Sequence, residues 1–123
     1  MRDFSDDLRE LRRRLDEAQT YLRIDELRAR LPQLETEAGR PDLWDDQERA
    51  KQVNAELSAV TDDLGAYDSL LGQVEDAETL AEMGREEGDD SLEPEVDDAI
   101  AEIAAALDRI ELRSLFSGEY DER

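Results

Sequence analysis

The stretch that decides the fold spans residues 53 to 74 and has the sequence VNAELSAVTDDLGAYDSLLGQV. Its apolar side chains recur with alternating steps of four and three residues, at Val53, Leu57, Val60, Leu64, Tyr67, Leu71 and Val74. An average step of 3.5 residues is typical of a helix that packs along a partner helix in a left-handed coiled coil. The pattern therefore predicts one long helix over residues 46–87, about 60 Å in length.

Two glycines fall inside this predicted helix, Gly65 and Gly72. Each costs about 1 kcal/mol relative to alanine in a helix interior. They either permit close helix packing or lie on an exposed face, and the sequence leaves both interpretations open.

A shorter helix is predicted ahead of the long one, from Ser5 or Asp6 to about Gln19. Its apolar stripe again has helical spacing, at Phe4, Leu8, Leu11, Leu15, Ala18 and Leu22. The aromatic and β-branched residues at 21–24 favour a bend after it, because such residues have weaker helix propensity.

A second helix is predicted to follow, capped by Asp25 and ending at about residue 38. Pro32 lies inside it and predicts a kink, since proline lacks the N–H and clashes with the carbonyl one turn earlier. Gly39 is predicted to end this helix in a left-handed conformation.

The start of the long helix is marked by residues 43–48, LWDDQE. Asp45 is predicted as its N-cap, with Glu48 three residues later as the capping-box partner. Trp44 is interpreted as a core anchor folded back onto the helices, because buried aromatic residues dominate small cores. The alternative for Trp44 is a role in stacking on a ligand.

A fourth helix is predicted after an acidic turn at residues 86–98. Asp90 or Ser91 is the predicted N-cap, Pro94 falls in the first turn, and Ser117-Gly118 is the predicted stop. Acidic residues in this turn do not alternate ahead of a glycine as a calcium loop requires, so no metal site is predicted. Its apolar stripe is Val96, Ile100, Ile103, Leu107 and Ile110.

The four helices together predict an all-α fold, an elongated antiparallel bundle or coiled-coil hairpin. Helices three and four are expected to form the hairpin, with helices one and two covering the first half of helix three. The bundle is predicted to occupy residues 1–116.

Composition excludes several function classes. The chain has no cysteine and no histidine, which removes thiolate metal sites and the usual general base at neutral pH. No apolar run approaches the roughly 18 residues of a membrane span, and no signal-peptide core is present, so a cytoplasmic location is expected. No catalytic residue, cofactor site or metal site is predicted, and the chain is not expected to be an enzyme.

The net charge of −21 is unevenly distributed. Residues 1–51 hold 11 Lys/Arg and 14 Asp/Glu, whereas residues 52–123 hold 4 and 22. Such an acidic second half repels phosphate backbones, so contacts with protein are expected and direct nucleic-acid readout is not. A cluster at Arg9, Arg12, Arg13 and Arg14 is interpreted as a solvated face paired with nearby acids, with a phosphate contact as the alternative.

Two boundary segments, residues 41–50 (PDLWDDQERA) and residues 111–121 (ELRSLFSGEYD), resemble the amino-terminal domain of the bacterial release factor 2 family. The resemblance implies a class I translation termination factor that acts on the ribosome at UAA and UGA stop codons. Its helical first domain is implied to face the stalk base of the large subunit and, where that partner exists, release factor 3. Residues 117–123 then correspond to the start of a connector to an absent catalytic core domain.

The functional motifs of that family are absent from this sequence. Neither the Gly-Gly-Gln loop that promotes peptidyl-tRNA hydrolysis nor the codon-reading Ser-Pro-Phe tripeptide occurs. The resemblance thus implies a protein-contact and positioning module. The alternative is a stand-alone acidic coiled-coil adaptor that dimerises through its heptad seam.

Overall fold

The computed structural model describes residues 1–116, which form four α-helices and two single-turn 3₁₀ segments. The helices are α1 (Ser5–Tyr21), α2 (Ile24–Ala38), α3 (Gln47–Glu87) and α4 (Glu93–Leu115). The 3₁₀ segments are Leu43–Asp45, ahead of α3, and Asp90–Leu92, ahead of α4. No strand occurs in this range, so the predicted all-α class is confirmed. The predicted connector at 117–123, with its helix stop, lies outside the described residues.

The long helix α3 is the spine of the molecule. Its 41 residues match the predicted range to within one residue and correspond to about 60 Å. Most of the predicted seam is buried, although Leu57 and Leu71 are only partly covered and Leu70 is buried in addition. Periodicity therefore located the packing face, but the burial of single positions depends on which neighbours cover them.

All the other helices run antiparallel to α3. Side chains of α1 and α2 pair with successively earlier positions of α3, in the order Arg12–Glu78, Arg28–Asp68 and Arg30–Glu56. The short turn after α3 returns the chain along it as α4, which gives the predicted antiparallel hairpin. Because α1 and α4 both oppose α3, they lie parallel to each other.

The molecule divides into two regions along α3. In the first, which we call the body, α1 and α4 flank the second half of α3 and form a three-helix bundle. In the second, the arm, α2 alone covers α3 from its start to about residue 60. Arg14 ties α1 to α4 within the body through Glu111 and Asp108, at 2.8 and 2.7 Å.

The predicted position of helix one is wrong. The sequence predicts that helix one lies on the first half of helix three together with helix two. In the structure, the chain ahead of α1 lies beside Gly84, near the end of α3. The approach is close, because a Cβ added to Gly84 would lie 2.4 Å from Cε of Met1. The physical reason is the α3–α4 pair, which buries only part of each apolar stripe and leaves a groove. The buried stripe of α1 fills that groove with Leu8, Leu11, Leu15 and Ala18.

The predicted bend between helices one and two is confirmed. Arg23 adopts a left-handed conformation (φ 57°, ψ 47°), which interrupts the helix and costs a non-glycine residue about 1–2 kcal/mol. Asp25 is not the cap, because it lies inside the first turn of α2 and the N-cap position belongs to Arg23.

The end of α2 also differs from expectation. Gly39 has φ −88° and ψ 0°, so the predicted left-handed conformation is wrong. The helix runs continuously through Pro32, and the kink there stays a prediction.

The turn between α3 and α4 uses other capping residues than predicted. Gly88 ends α3 in a left-handed conformation (φ 62°), and Asp89 accepts hydrogen bonds from the Ser91 N–H and hydroxyl at 3.0 and 2.5 Å. The N-cap position of α4 belongs to Leu92, so neither Asp90 nor Ser91 is the cap of that helix. Pro94 does lie in the first turn of α4, as expected from its missing N–H.

Candidate interaction surfaces

Ionic groups of the described chain are arranged for structure rather than for acid–base chemistry. Each carboxyl whose pKa is displaced is displaced downward, by hydrogen bonds from partners; these are Asp3, Glu10, Glu56, Asp68 and Asp89. Arg30, for example, lowers the pKa of Glu56, and Arg28 lowers that of Asp68. A general acid at neutral pH needs the opposite displacement.

Residues 1–116 also hold no metal-binding cluster and no helix fit to span a membrane. Within that range no group of three or more Asp, Glu, His or Cys side chains is placed to hold a metal ion. None of the described helices is long and apolar enough to cross a membrane.

A groove of about 640 Å³ lies at the outer end of the body between the start of α1 and the end of α3. Its floor is apolar, with Phe4 and Leu8, and its arginines are already paired with carboxylates. Arg9 pairs with Asp6, Arg12 with Glu78 and Arg85 with Glu82. Because those charges are neutralised within the chain, the groove offers a ligand no concentrated charge.

The arginine cluster of α1 is divided between two roles. Arg9 and Arg13 pair with acids of their own helix, as the solvated-face interpretation predicts. Arg12 and Arg14 instead reach across to α3 and α4 and are partly buried. All four guanidinium groups are occupied by carboxylates, which argues against the phosphate-contact alternative.

The α3–α4 turn forms the acidic end of the body. Its exposed carboxylates are Glu86, Glu87, Asp90, Glu95 and Asp98. Asp90 also binds the Met1 amino group at 2.5 Å, and Asp97 binds Arg2 at 2.8 Å. The turn therefore presents a cluster of carboxylates to solvent.

An apolar surface lies at the other end of the body, where α4 finishes. Leu112, Leu115 and Phe116 are exposed by 56, 59 and 80%. Leu115 and Phe116 do not continue the buried stripe of α4, because Ser114 takes the next buried position. These side chains adjoin the predicted connector.

The free end of the arm presents Trp44, which is 65% exposed. Its predicted role as a buried anchor is wrong, and the neighbouring Leu43 is buried instead. Residues 43–45 form a 3₁₀ turn, in which successive side chains point about 120° apart. Leu43 and Trp44 therefore cannot both face the core, and this one-residue difference is the signal that the sequence analysis missed.

The turn that carries Trp44 is held on both sides. Leu43 N–H donates to the Arg40 carbonyl at 3.2 Å, and Asp46 N–H donates to the Leu43 carbonyl at 3.1 Å. The Asp46 carboxylate then accepts from Arg49 N–H at 3.1 Å and caps α3, so the predicted cap at Asp45 is one residue too early. An ion pair between Arg49 and Glu37 joins the two helices of the arm beside this turn.

Comparison with known proteins finds similarity to peptide chain release factors. The PCRF domain family matches residues 27–123. Peptide chain release factor 2 of Salinispora tropica is 40% identical over 121 residues, which is 98% of this chain and 32% of that protein. The same factor from Saccharopolyspora erythraea is also 40% identical over 121 residues, covering 33% of its length.

A third relative gives the same result over a shorter range. Peptide chain release factor 2 of Corynebacterium aurimucosum is 42% identical over 94 residues, which is 76% of this chain and 26% of that protein. The chain therefore spans about a third of the length of the curated relatives that it matches.

Proposed function

The chain belongs to the PCRF domain family, and we propose that it serves as the amino-terminal helical domain of a bacterial peptide chain release factor acting in translation termination. The observation that carries the proposal is the 40% identity to release factor 2 relatives across 98% of the chain. The helical body and arm account for residues 1–116 of this domain, and residues 117–123 would begin the connector to the core.

Within that proposal the domain positions the factor and contacts protein on the ribosome, in the cytoplasm. Its partners would be the stalk base of the large subunit and, where present, release factor 3; the intact factor would act at UAA and UGA codons. The acidic surface supports this division of labour, because 22 Asp/Glu against 4 Lys/Arg in residues 52–123 disfavour nucleic-acid contacts. Peptidyl-tRNA hydrolysis would belong to the core domain and not to this one.

The adaptor alternative loses its main support. It required the α3 seam to be free for a second copy, but Val53, Val60, Leu64 and Val74 are buried within a single chain. A dimer built on that seam would have to displace α1, α2 or α4.

Binding to ribosomal subunits tests the proposal directly. The chain has no cysteine, so Ser58→Cys on the exposed side of α3 gives one site for a fluorescent label. Titration of the labelled chain with purified large and small subunits is expected to raise its anisotropy saturably with the large subunit only. Equal binding to both subunits, or no saturable binding, would contradict the proposed role.

The proposed parent factor is tested at the level of the gene. An open reading frame that continues past the Arg123 codon into a Gly-Gly-Gln motif is expected. Its purified product should release peptide from ribosomes stopped at UAA and UGA, and not at UAG. A stop codon directly after Arg123 would instead favour an independent helical module.

A further inference from the structure

Trp44 is 65% exposed and does not belong to the hydrophobic core. We propose that it is the anchor by which this domain docks into an apolar pocket, rimmed by cationic side chains, on a protein of the large ribosomal subunit. This inference rests on the proposed function and names the surface and the partner chemistry through which it works.

Exposure and location single out this side chain. Among the described residues only Phe116 is a more exposed large apolar side chain, and it adjoins the predicted connector. Trp44 lies well away from Phe116, on the outermost turn of an arm only two helices wide. Tryptophan is enriched among the few residues that carry most of the binding energy at protein interfaces.

The turn also holds Trp44 in place before any partner arrives. Leu43, which is buried, fixes the backbone before Trp44, and the Asp46 cap fixes it two residues after Trp44. Ordering a flexible loop on binding would cost free energy, and a turn that is already ordered avoids that cost. Such a rigid, outward-facing aromatic suits insertion into a pocket.

Charge around the indole indicates what the pocket looks like. Asp42, Asp45 and Glu48 are exposed around this turn, and of the three only Asp42 has an ion-pair partner within 4 Å in the described chain, Arg40 at 3.7 Å. Carboxylates around an apolar anchor complement a pocket edged with Lys or Arg. The same carboxylates repel RNA phosphates, which favours a ribosomal protein over ribosomal RNA as the partner.

The proposal requires that the indole of Trp44 is exposed to solvent. This exposure can be measured by fluorescence, because Trp44 is the single tryptophan of the chain. Its fluorescence in the free chain is expected to be quenched by acrylamide nearly as efficiently as that of free tryptophan. A strongly protected indole would overturn the proposal, because it would place Trp44 in the interior.

Binding of the labelled chain to large subunits tests the anchor itself. Trp44→Ala is expected to weaken binding at least about 10-fold, as for an interface hot spot, and Trp44→Phe to weaken it less. Met83→Ala is the matched control, since Met83 is an exposed apolar residue near the opposite end of α3. It should change affinity by no more than about twofold. Circular dichroism should show unchanged helix content in all three variants.

Neutralising the carboxylates around Trp44 distinguishes a protein partner from RNA, because the two partners predict opposite changes in affinity. Neutralising the rim with Asp42→Asn, Asp45→Asn and Glu48→Gln, while keeping the Asp46 cap, is expected to weaken binding and reduce its dependence on salt. Tighter binding of this triple variant would mean that the tip faces phosphates, and the proposed protein pocket would be wrong.

The outcomes distinguish this inference from the function it rests on. If the labelled parent chain, with Trp44 intact, binds large subunits and its Trp44→Ala variant binds equally well, only the proposed role of Trp44 is refuted. If the parent chain does not bind saturably, the proposed function fails and the anchor fails with it.

Discussion

The body and the arm use one helix, α3, in two different ways. In the body, α1 and α4 enclose it, and fourteen of the twenty buried apolar residues lie there. Only six lie between residues 24 and 60 in the arm, namely Ile24, Leu34, Leu43, Ala50, Val53 and Val60. Since burial of apolar area is the main stabilising term, most of the stability of the domain comes from the body.

The arm compensates in part with ion pairs between its two helices. Arg30 binds both oxygens of Glu56 at 2.8 and 3.0 Å, and Arg28 binds Asp68 at 2.6 Å. Exposed pairs of this kind contribute only about 0–1 kcal/mol each. The body therefore holds the fold, while the arm carries the turn with Trp44 away from the body.

The largest expected effect is loss of a body core side chain. Leu107→Ala removes a fully buried residue of α4 and should lower the free energy of unfolding by about 2–5 kcal/mol. Leu112→Ala on the same helix is the matched control, because Leu112 is 56% exposed, and it should cost less than about 0.5 kcal/mol. Urea denaturation followed by circular dichroism measures both.

The same truncation in the arm sharpens the comparison. Leu34 is as fully buried as Leu107, but its loss should open the arm locally. Hydrogen exchange is expected to accelerate at residues 24–60 while the body stays protected. Uniform acceleration over both regions would show that arm and body unfold as one unit.

The cap of α3 is expected to have the next largest effect. Asp46→Ala removes the carboxylate that accepts from Arg49 N–H and should destabilise the arm by about 1 kcal/mol. Asp45→Ala, one residue away, is the control and should be nearly neutral. If Asp45→Ala lowered the melting temperature more than Asp46→Ala, the N-cap would be Asp45, as the sequence predicts.

The sequence predicted the long elements well, for a physical reason. A 3.5-residue repeat sustained over seven positions allows only one buried stripe, so the range of α3 and its hairpin with α4 followed from the pattern. The cluster at Arg9 to Arg14 was only half predictable, since the partners of Arg12 and Arg14 lie 66 to 97 residues away. Distant partners leave no local signal.

The surface around Trp44 was harder to predict, because a shift of one residue decides which side chain faces the core. Trp44 was placed in the core from its residue type, but in the 3₁₀ turn only Leu43 faces inward. The N-cap was misplaced by one residue for the same reason, since Asp45 and Asp46 are adjacent and chemically identical. Short turns carry too few residues for a periodic pattern to fix their orientation.

A glycine near the junction of arm and body offers a smaller, opposite effect. Gly65 is exposed, and an added Cβ would meet no atom within 4 Å, so the close-packing interpretation is wrong for it. Gly65→Ala should therefore stabilise α3 by about 0.5–1 kcal/mol. Gly84→Ala is the contrasting variant, because there the Cβ would lie 2.4 Å from Cε of Met1. Thermal melts should show a smaller gain or a loss at Gly84.

The smallest expected effect concerns pH and the ion pairs that bridge the arm. Arg30 lowers the pKa of Glu56 below its ordinary value of 4.5, and Arg28 lowers that of Asp68 below 3.8. A carboxyl with a lowered folded pKa stabilises the fold above its ordinary pKa. That contribution is lost as the pH falls through the folded value.

A double variant isolates this contribution. The double variant Arg28→Gln/Arg30→Gln should have a lower melting temperature than the unmodified chain at pH 7. This difference in melting temperature, the gap, should shrink below about pH 4.5 and close once both carboxyls are protonated. Arg40→Gln with Arg85→Gln changes the net charge equally, but its pairs lie within two or three residues along the chain, so its gap should be smaller at pH 7. A gap for Arg28 and Arg30 that persists in acid would mean that their aliphatic stems, packed between α2 and α3, stabilise the arm rather than their charges.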